Sequence, residues 1–166
     1  GLAGLVRQVA LASLQDRDKG EGLMKRIAAL DVGGKRIGIA LSDPERRLAF
    51  PKGFVTLEKA LEEIPLLFNR WDVGTVVVGM PVTLRGEEGP QAVKVREFVS
   101  ELEKAFREKG MDLEIVFWDE RLSTAQAEAY LREAGYDGRR IRRKVDAASA
   151  ALILQSYLDF KRGNGV

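Results

Sequence analysis

Neither cysteine nor histidine occurs anywhere in the 166 residues. The first absence rules out disulfides and thiolate metal sites. The second removes imidazole ligands, imidazole general bases and every triad built on them. Hydrolytic chemistry in this chain must therefore run on carboxylates, whose oxygens favour hard cations such as Mg2+ or Mn2+ over zinc. Long apolar runs are missing too: none approaches the roughly 18 residues of a spanning helix, and the first residues lack the basic-then-apolar order of a secretory signal. A soluble, cytoplasmic protein without a membrane partner is expected. A large net charge is also lacking, at +2, so there is no global basic field. The basic residues are nevertheless uneven. Arg139, Arg140, Arg142, Arg143 and Lys144 fall within seven positions, which is either a solvated basic stretch or a local anion-binding face.

A hydrophobic share of 45% in a chain of this length suits one compact core. Residues 1–23 read differently from the rest. They hold a short apolar helical pattern at Leu2, Leu5, Val6, Val9, Ala10 and Leu14, then the polar stretch Gln15 to Gly22. Codons for Lys19 to Gly22 are purine-rich, as a ribosome-binding site ahead of Met24 would be. The expectation is an N-terminal extension over 1–23, an artefact of expression or of start-site choice, followed by a single domain over 24–166.

Within that domain, Arg26–Asp31 and Arg36–Ser42 are apolar runs joined by Val32-Gly33-Gly34-Lys35, which predicts two antiparallel strands. A third strand follows between Leu48 and Thr56, weakened by Pro51 and Gly53. Leu57, Ala60, Leu61, Ile64, Leu67 and Phe68 recur at helical spacing after Thr56 as N-cap, although Pro65 threatens a kink. Thr75–Gly79 is a continuous β-branched run, as in a strand buried on both faces. A helix marked by Val93, Phe98, Val99, Leu102 and Phe106 follows it, and then a strand over Leu113–Trp118. Ser123 or Thr124 caps a helix to Ala134, and a long helix over Lys144–Lys161 closes the chain. The order βββαβαβαα predicts an α/β fold with a mixed five-stranded sheet flanked by helices.

Four acids stand in unusual places. Asp31 ends the first strand, Asp119 and Glu120 end the fifth, and Asp146 opens an otherwise apolar helix. Acids at the carboxyl ends of strands face the crevice where α/β proteins bind ligands, and acids gathered there repel unless a cation lies between them. Three of them also have an ordinary explanation: Asp31 beginning a turn, Glu120 pairing with Arg121, Asp146 complementing the helix dipole. Gly33 and Gly34 are either turn glycines or a small loop that lets a phosphate backbone approach, with Lys35 and Arg36 at hand. Trp71 and Trp118 lie among apolar neighbours and are expected to pack rather than to stack on bases.

Four ordered motifs carry a resemblance. They are Ala29-Leu-Asp31-Val-Gly-Gly-Lys-Arg36-Ile-Gly-Ile-Ala-Leu-Ser-Asp43, Val78-Gly-Met-Pro81, Asp119-Glu-Arg-Leu-Ser-Thr124 and Lys144-Val-Asp146-Ala-Ala. With the Ala150-Ala-Leu-Ile-Leu-Gln155 stretch, they resemble the YqgF/RuvX family from Met24 to about Arg162. That family is described both as Holliday junction resolvases and as pre-16S rRNA nucleases. The resemblance implies an RNase H-like fold related to RuvC, with Asp31, Glu120 and Asp146 as catalytic and metal-binding residues. The expected cofactor is a pair of Mg2+ or Mn2+ ions about 4 Å apart, bridged by Asp31. Lys35, Arg36, Arg121, Arg139, Arg140, Arg142, Arg143 and Lys144 are expected to hold the nucleic-acid backbone, leaving a 5′-phosphate and a 3′-hydroxyl. Expected partners are structured RNA or branched DNA, a ribosomal precursor particle, and a second copy of the chain, since junction resolution needs a symmetric dimer.

The leading reading is 5′-end processing of pre-16S rRNA. Two readings stand beside it: junction resolution in DNA, and a non-catalytic RNA-binding module for ribosome maturation. A phosphate loop of the actin and sugar-kinase type at Asp31-Val-Gly-Gly-Lys ranks below them, because the chain holds no second Gly-rich loop to close a nucleotide cleft.

Overall fold

The computed structural model describes residues 25–83, 85–119, 133 and 138–164, with the side chains of the last stretch from 148 to 163. Strand β1 (Arg26–Val32) pairs antiparallel with β2 (Arg36–Ser42), and β2 pairs antiparallel with β3 (Ala49–Thr56). Helix α1 (Leu57–Arg70) leads to β4 (Val73–Met80), which lies parallel to β1. Helix α2 (Pro90–Glu108) leads to β5 (Glu114–Asp119), parallel to β4. Helix α3 (Gly138–Asn164) follows, and the sheet order is β3-β2-β1-β4-β5. The expected meander and both crossovers are therefore present. The helix expected from Ser123 or Thr124 to Ala134 lies, apart from Glu133, outside the described residues. Among the described residues no helix is long and apolar enough to cross a membrane.

Period-2 alternation divides the sheet between two cores. Leu30, Ile37, Ile39, Val76 and Val78 face α1 and α2, where Ile64, Phe68, Val95 and Leu102 meet them. Ile27, Ala29, Ala40 and Val77 face α3, which supplies Ala150, Ile153, Leu154, Tyr157 and Leu158. The α3 face is built largely from small residues, so this helix can lie close on the sheet. At Gly79 an added Cβ would stand 2.6 Å from Ile153 Cδ1. Strand β4 is buried on both faces, which explains why its sequence is a continuous apolar run. Trp71 packs against the first core and Trp118 against the second, as expected.

Pro51 and Gly53 are tolerated because β3 is an edge strand. The pairing register skips between Gly38 and Ala40, so the chain bulges at Lys52–Gly53, where Gly53 takes φ 91°. In the β1–β2 connection, a Cβ on Gly33 would lie 2.8 Å from the Arg36 carbonyl oxygen that its own N–H bonds at 2.9 Å. Gly33 is thus demanded by the turn, whereas a Cβ on Gly34 would meet nothing within 4 Å. Thr56 occupies the N-cap of α1 in extended conformation without a side-chain cap bond, and the Leu57 N–H donates to the Lys35 carbonyl at 2.8 Å instead.

Helix α3 begins at Gly138, not at Lys144. Arg139 to Lys144 are mostly good helix formers with no breaker before Asp146, so the basic stretch is helical. Asp146 therefore lies in the third turn, beyond the range over which a carboxylate complements the helix dipole.

Gln155 ties α3 to the sheet edge. Its Oε1 accepts from Ala49 N–H at 2.9 Å, and its Nε2 donates to the Arg47 carbonyl at 3.0 Å and to Asp159 Oδ1 at 3.0 Å. Gln155→Ala leaves two backbone groups unpaired at a partly covered edge, and we expect a loss of about 1–2 kcal/mol. Urea denaturation should show a lower midpoint with an unchanged slope.

Candidate active site

Asp31 is the penultimate residue of β1, half-buried, opposite Gly38 of β2. Its alternation partners Ile27 and Ala29 belong to the α3 core, so its carboxylate is on the α3 face at the carboxyl end of β1. Asp119 ends β5 in register with Met80, which belongs to the α1/α2 core. Parallel partners share a face, so Asp119 is directed to the side of the sheet opposite Asp31. Of the four acids singled out in the sequence, these two are thereby separated. Glu120 and Arg121 lie outside the described residues, and so do the side chains of Arg139, Arg140, Arg142, Arg143, Lys144 and Asp146. Among the described residues, no group of three acids capable of holding a metal ion is found.

The direction of α3 can be read from its contacts. Ile153 sits over Gly79, at the carboxyl end of β4. Further along, Gln155 bonds Ala49, the first residue of β3. Tyr157 feels the charges of Glu114, at the start of β5, and Arg46, which itself bonds the Lys25 carbonyl just before β1. Burial, with Glu114 adding to it, pushes the Tyr157 phenol above its ordinary value. The helix thus runs antiparallel to β1, and its earlier turns lie toward the end of the sheet that carries Asp31. Position 146 precedes Ala150 by four residues and Ile153 by seven, so its Cα lies on the sheet-facing stripe, about 10 Å up the axis from Ile153.

Ser149, one turn after position 146, is 1% exposed, and among the described residues its hydroxyl has no hydrogen-bond partner. A buried unpaired hydroxyl is costly, so this turn of α3 has an oxygen donor with capacity for a further polar group. With neither cysteine nor histidine in the chain, the oxygen donors at this end of the sheet fit a hard cation.

Lys35 and Arg36 are exposed at the β1–β2 turn and the start of β2. Arg36 carries its guanidinium 4.9 Å from the ring centroid of Phe54. A groove of about 410 Å³ opens on the other side of the sheet, between α1 and α2, lined by Leu61, Val95 and Phe98. Its Lys94, Glu97 and Glu101 mix both signs, so it offers no field for a polyanion. Residues not singled out in the sequence are Phe54 and Ser149. Only pairing register and helix docking give them significance.

Comparison with known proteins agrees with this architecture. The model of the RuvX family, described as Holliday junction resolvase, matches residues 25–160. The chain belongs to the RuvX family. A relative from Anaeromyxobacter sp. (strain Fw109-5), named "Putative pre-16S rRNA nuclease", is 44% identical over 137 residues, covering 81% of this RuvX chain and 96% of the relative. One of the same name from Chloroflexus aurantiacus (strain ATCC 29366 / DSM 635 / J-10-fl) is 40% identical over 141 residues, covering 83% and 89%. Names of family and relatives alike are those of nucleases. In fold, the RuvX chain is similar to the solved structure of Thermus thermophilus RuvC, at TM-score 0.51 and 14% identity, covering 83% of this chain and 96% of that one. The expected RNase H-like fold, similar to that of RuvC, is therefore the observed one.

Proposed function

We propose that this RuvX domain is a metal-dependent nuclease that cleaves structured RNA, with the 5′ end of pre-16S rRNA in a cytoplasmic ribosomal precursor particle as its substrate. The functional unit is the single domain 24–166, with 1–23 outside the family match. The observation that carries the reading is the antiparallel docking of α3, which directs the turn bearing Asp146 to the end of the sheet where β1 presents Asp31.

Asp31, Glu120 and Asp146 are assigned as the residues that would hold the metal. For Glu120 to reach Asp31's face, the alternation of β5 must carry on by one residue past Asp119. Mg2+ or Mn2+ ions bound there would activate a water and stabilise the leaving oxygen in an in-line displacement. Lys35 and Arg36 at the turn, with Arg121 and the Arg139–Lys144 stretch, hold the backbone through its phosphates and so set which bond meets the carboxylates.

A second reading, cleavage of four-way DNA junctions, is favoured by the family description. It needs a two-fold dimer to make paired cuts. The test is incubation of the full chain with a pre-16S-type RNA and with a four-way junction, in Mg2+, in Mn2+ and in EDTA. We expect cleavage of the RNA with either ion, none in EDTA, and recovery when the ion is restored. Cleavage that persists in EDTA would overturn the carboxylate–metal site. Cutting of the junction alone favours the second reading, and tight RNA binding without cleavage in either ion favours a non-catalytic maturation module.

A further inference from the structure

Phe54 leaves 48% of its surface exposed on the edge strand β3. Asp31 pairs with Gly38, and Gly38 pairs with Phe54. The three residues therefore form one row across β1, β2 and β3. Antiparallel partners share a face, so the phenyl ring is on the same face as the Asp31 carboxylate, two strand spacings or about 10 Å away. The middle member of the row is a glycine, so β2 places no side chain between carboxylate and ring. Arg36 belongs to the same face, two residues before Gly38, and its guanidinium lies 4.9 Å from the centroid of the Phe54 ring. The pair offers a π surface and a cation together.

Exposure alone does not distinguish Phe54, because Phe50 lies on the same strand and is 47% exposed. However, Phe50 pairs with Leu41, a member of the α1/α2 core, and so belongs to the opposite face.

From this row we infer that Phe54, braced by Arg36, is a stacking station for an unpaired nucleobase next to the nucleotide whose phosphate is cleaved at Asp31. The inference rests on the nuclease reading and adds a substrate feature to it. A base inside a duplex has both faces covered by its neighbours, whereas an unpaired one offers a face to an aromatic ring whatever its sequence. The Arg36 guanidinium suits the phosphate attached to that nucleotide. The favoured substrate is then a strand with a short unpaired segment at the cleavage point, not a continuous duplex.

Binding of an RNA with a short unpaired segment beside a duplex, carrying 2-aminopurine in that segment, tests this in EDTA, where the proposed chemistry is stopped. The parent chain should quench the fluorophore. Phe54→Leu should abolish the quench and weaken binding about tenfold, Phe54→Tyr should keep both, and Phe50→Leu should behave as the parent. A fully paired RNA should bind all four proteins alike. Absence of quenching with the parent chain, parental behaviour of Phe54→Leu, or equal losses from Phe50→Leu would each overturn the station. Cleavage is not scored in this experiment, so a failed nuclease assay with an intact quench removes the catalytic reading and leaves the station standing.

Discussion

Asp31→Asn is expected to lower metal-dependent cleavage on the order of a thousandfold while leaving the fold intact. The carboxylate is half-buried at a strand end, and asparagine matches its shape, so the packing of β1 against β2 and β4 has little reason to change. What is lost is an anionic oxygen of the set that would hold the cation. Bound metal supplies several kcal/mol of transition-state stabilisation, and each 1.36 kcal/mol is a factor of about ten in rate. Two measurements separate chemistry from folding. Single-turnover cleavage reports the rate. Thermal unfolding with and without Mn2+ reports binding, because a ligand of the native state raises the midpoint by mass action. The parent should gain stability from Mn2+ and the variant should not. A variant that cleaves as fast as the parent would remove Asp31 from the site.

Ile153→Ala is expected to cost about 2–5 kcal/mol, a large part of the roughly 5–15 kcal/mol that holds such a domain together. Ile153 is fully buried, and its Cδ1 occupies the space that the missing Cβ of Gly79 leaves over β4. Truncation opens a cavity under α3 at the turn that sets how the helix lies on the sheet. The unfolding midpoint should fall by roughly 4–20 °C. Cleavage should need more Mn2+ to saturate, because Asp146 is carried two turns up the same helix. Adding Gly79→Ala to the variant should restore part of the loss, since the new methyl fills vacated space. In the parent, the same substitution forces Ile153 Cδ1 to move. A double-mutant cycle measures that coupling, and strictly additive effects would show that the two residues do not share this contact.

The contrast between Asp31 and Asp119 shows how far the residues alone can be read. Both are acids at the ends of strands, and the strands themselves are legible from periodicity. Which face each acid takes depends on register across β1, β4 and β5, a property of pairs of strands rather than of either one. Asp146 makes the complementary case. Its helix is recognisable from the apolar spacing of Ala150 to Leu158, but the basic residues before it match a loop as well as a helix. Periodicity therefore puts the start at Lys144 although the helix begins at Gly138, because charge on a solvated helix face carries no apolar period. Phe54 cannot be singled out at all, since an aromatic in a weak edge strand looks the same whichever side of the sheet it takes.

By itself the sequence determined the chemistry that is open to this protein. A chain without histidine or cysteine has carboxylates as its anionic side-chain ligands of consequence, and its alternation of apolar runs leaves an α/β sheet with crossover helices as the way to bury them. Tertiary structure alone decided that Asp31 and Asp119 take opposite faces of the sheet, where α3 points, and that a glycine separates a carboxylate from an exposed ring. The reason is physical: composition and periodicity are properties of one segment, whereas facing and proximity arise only when strands set their register and a helix docks across them.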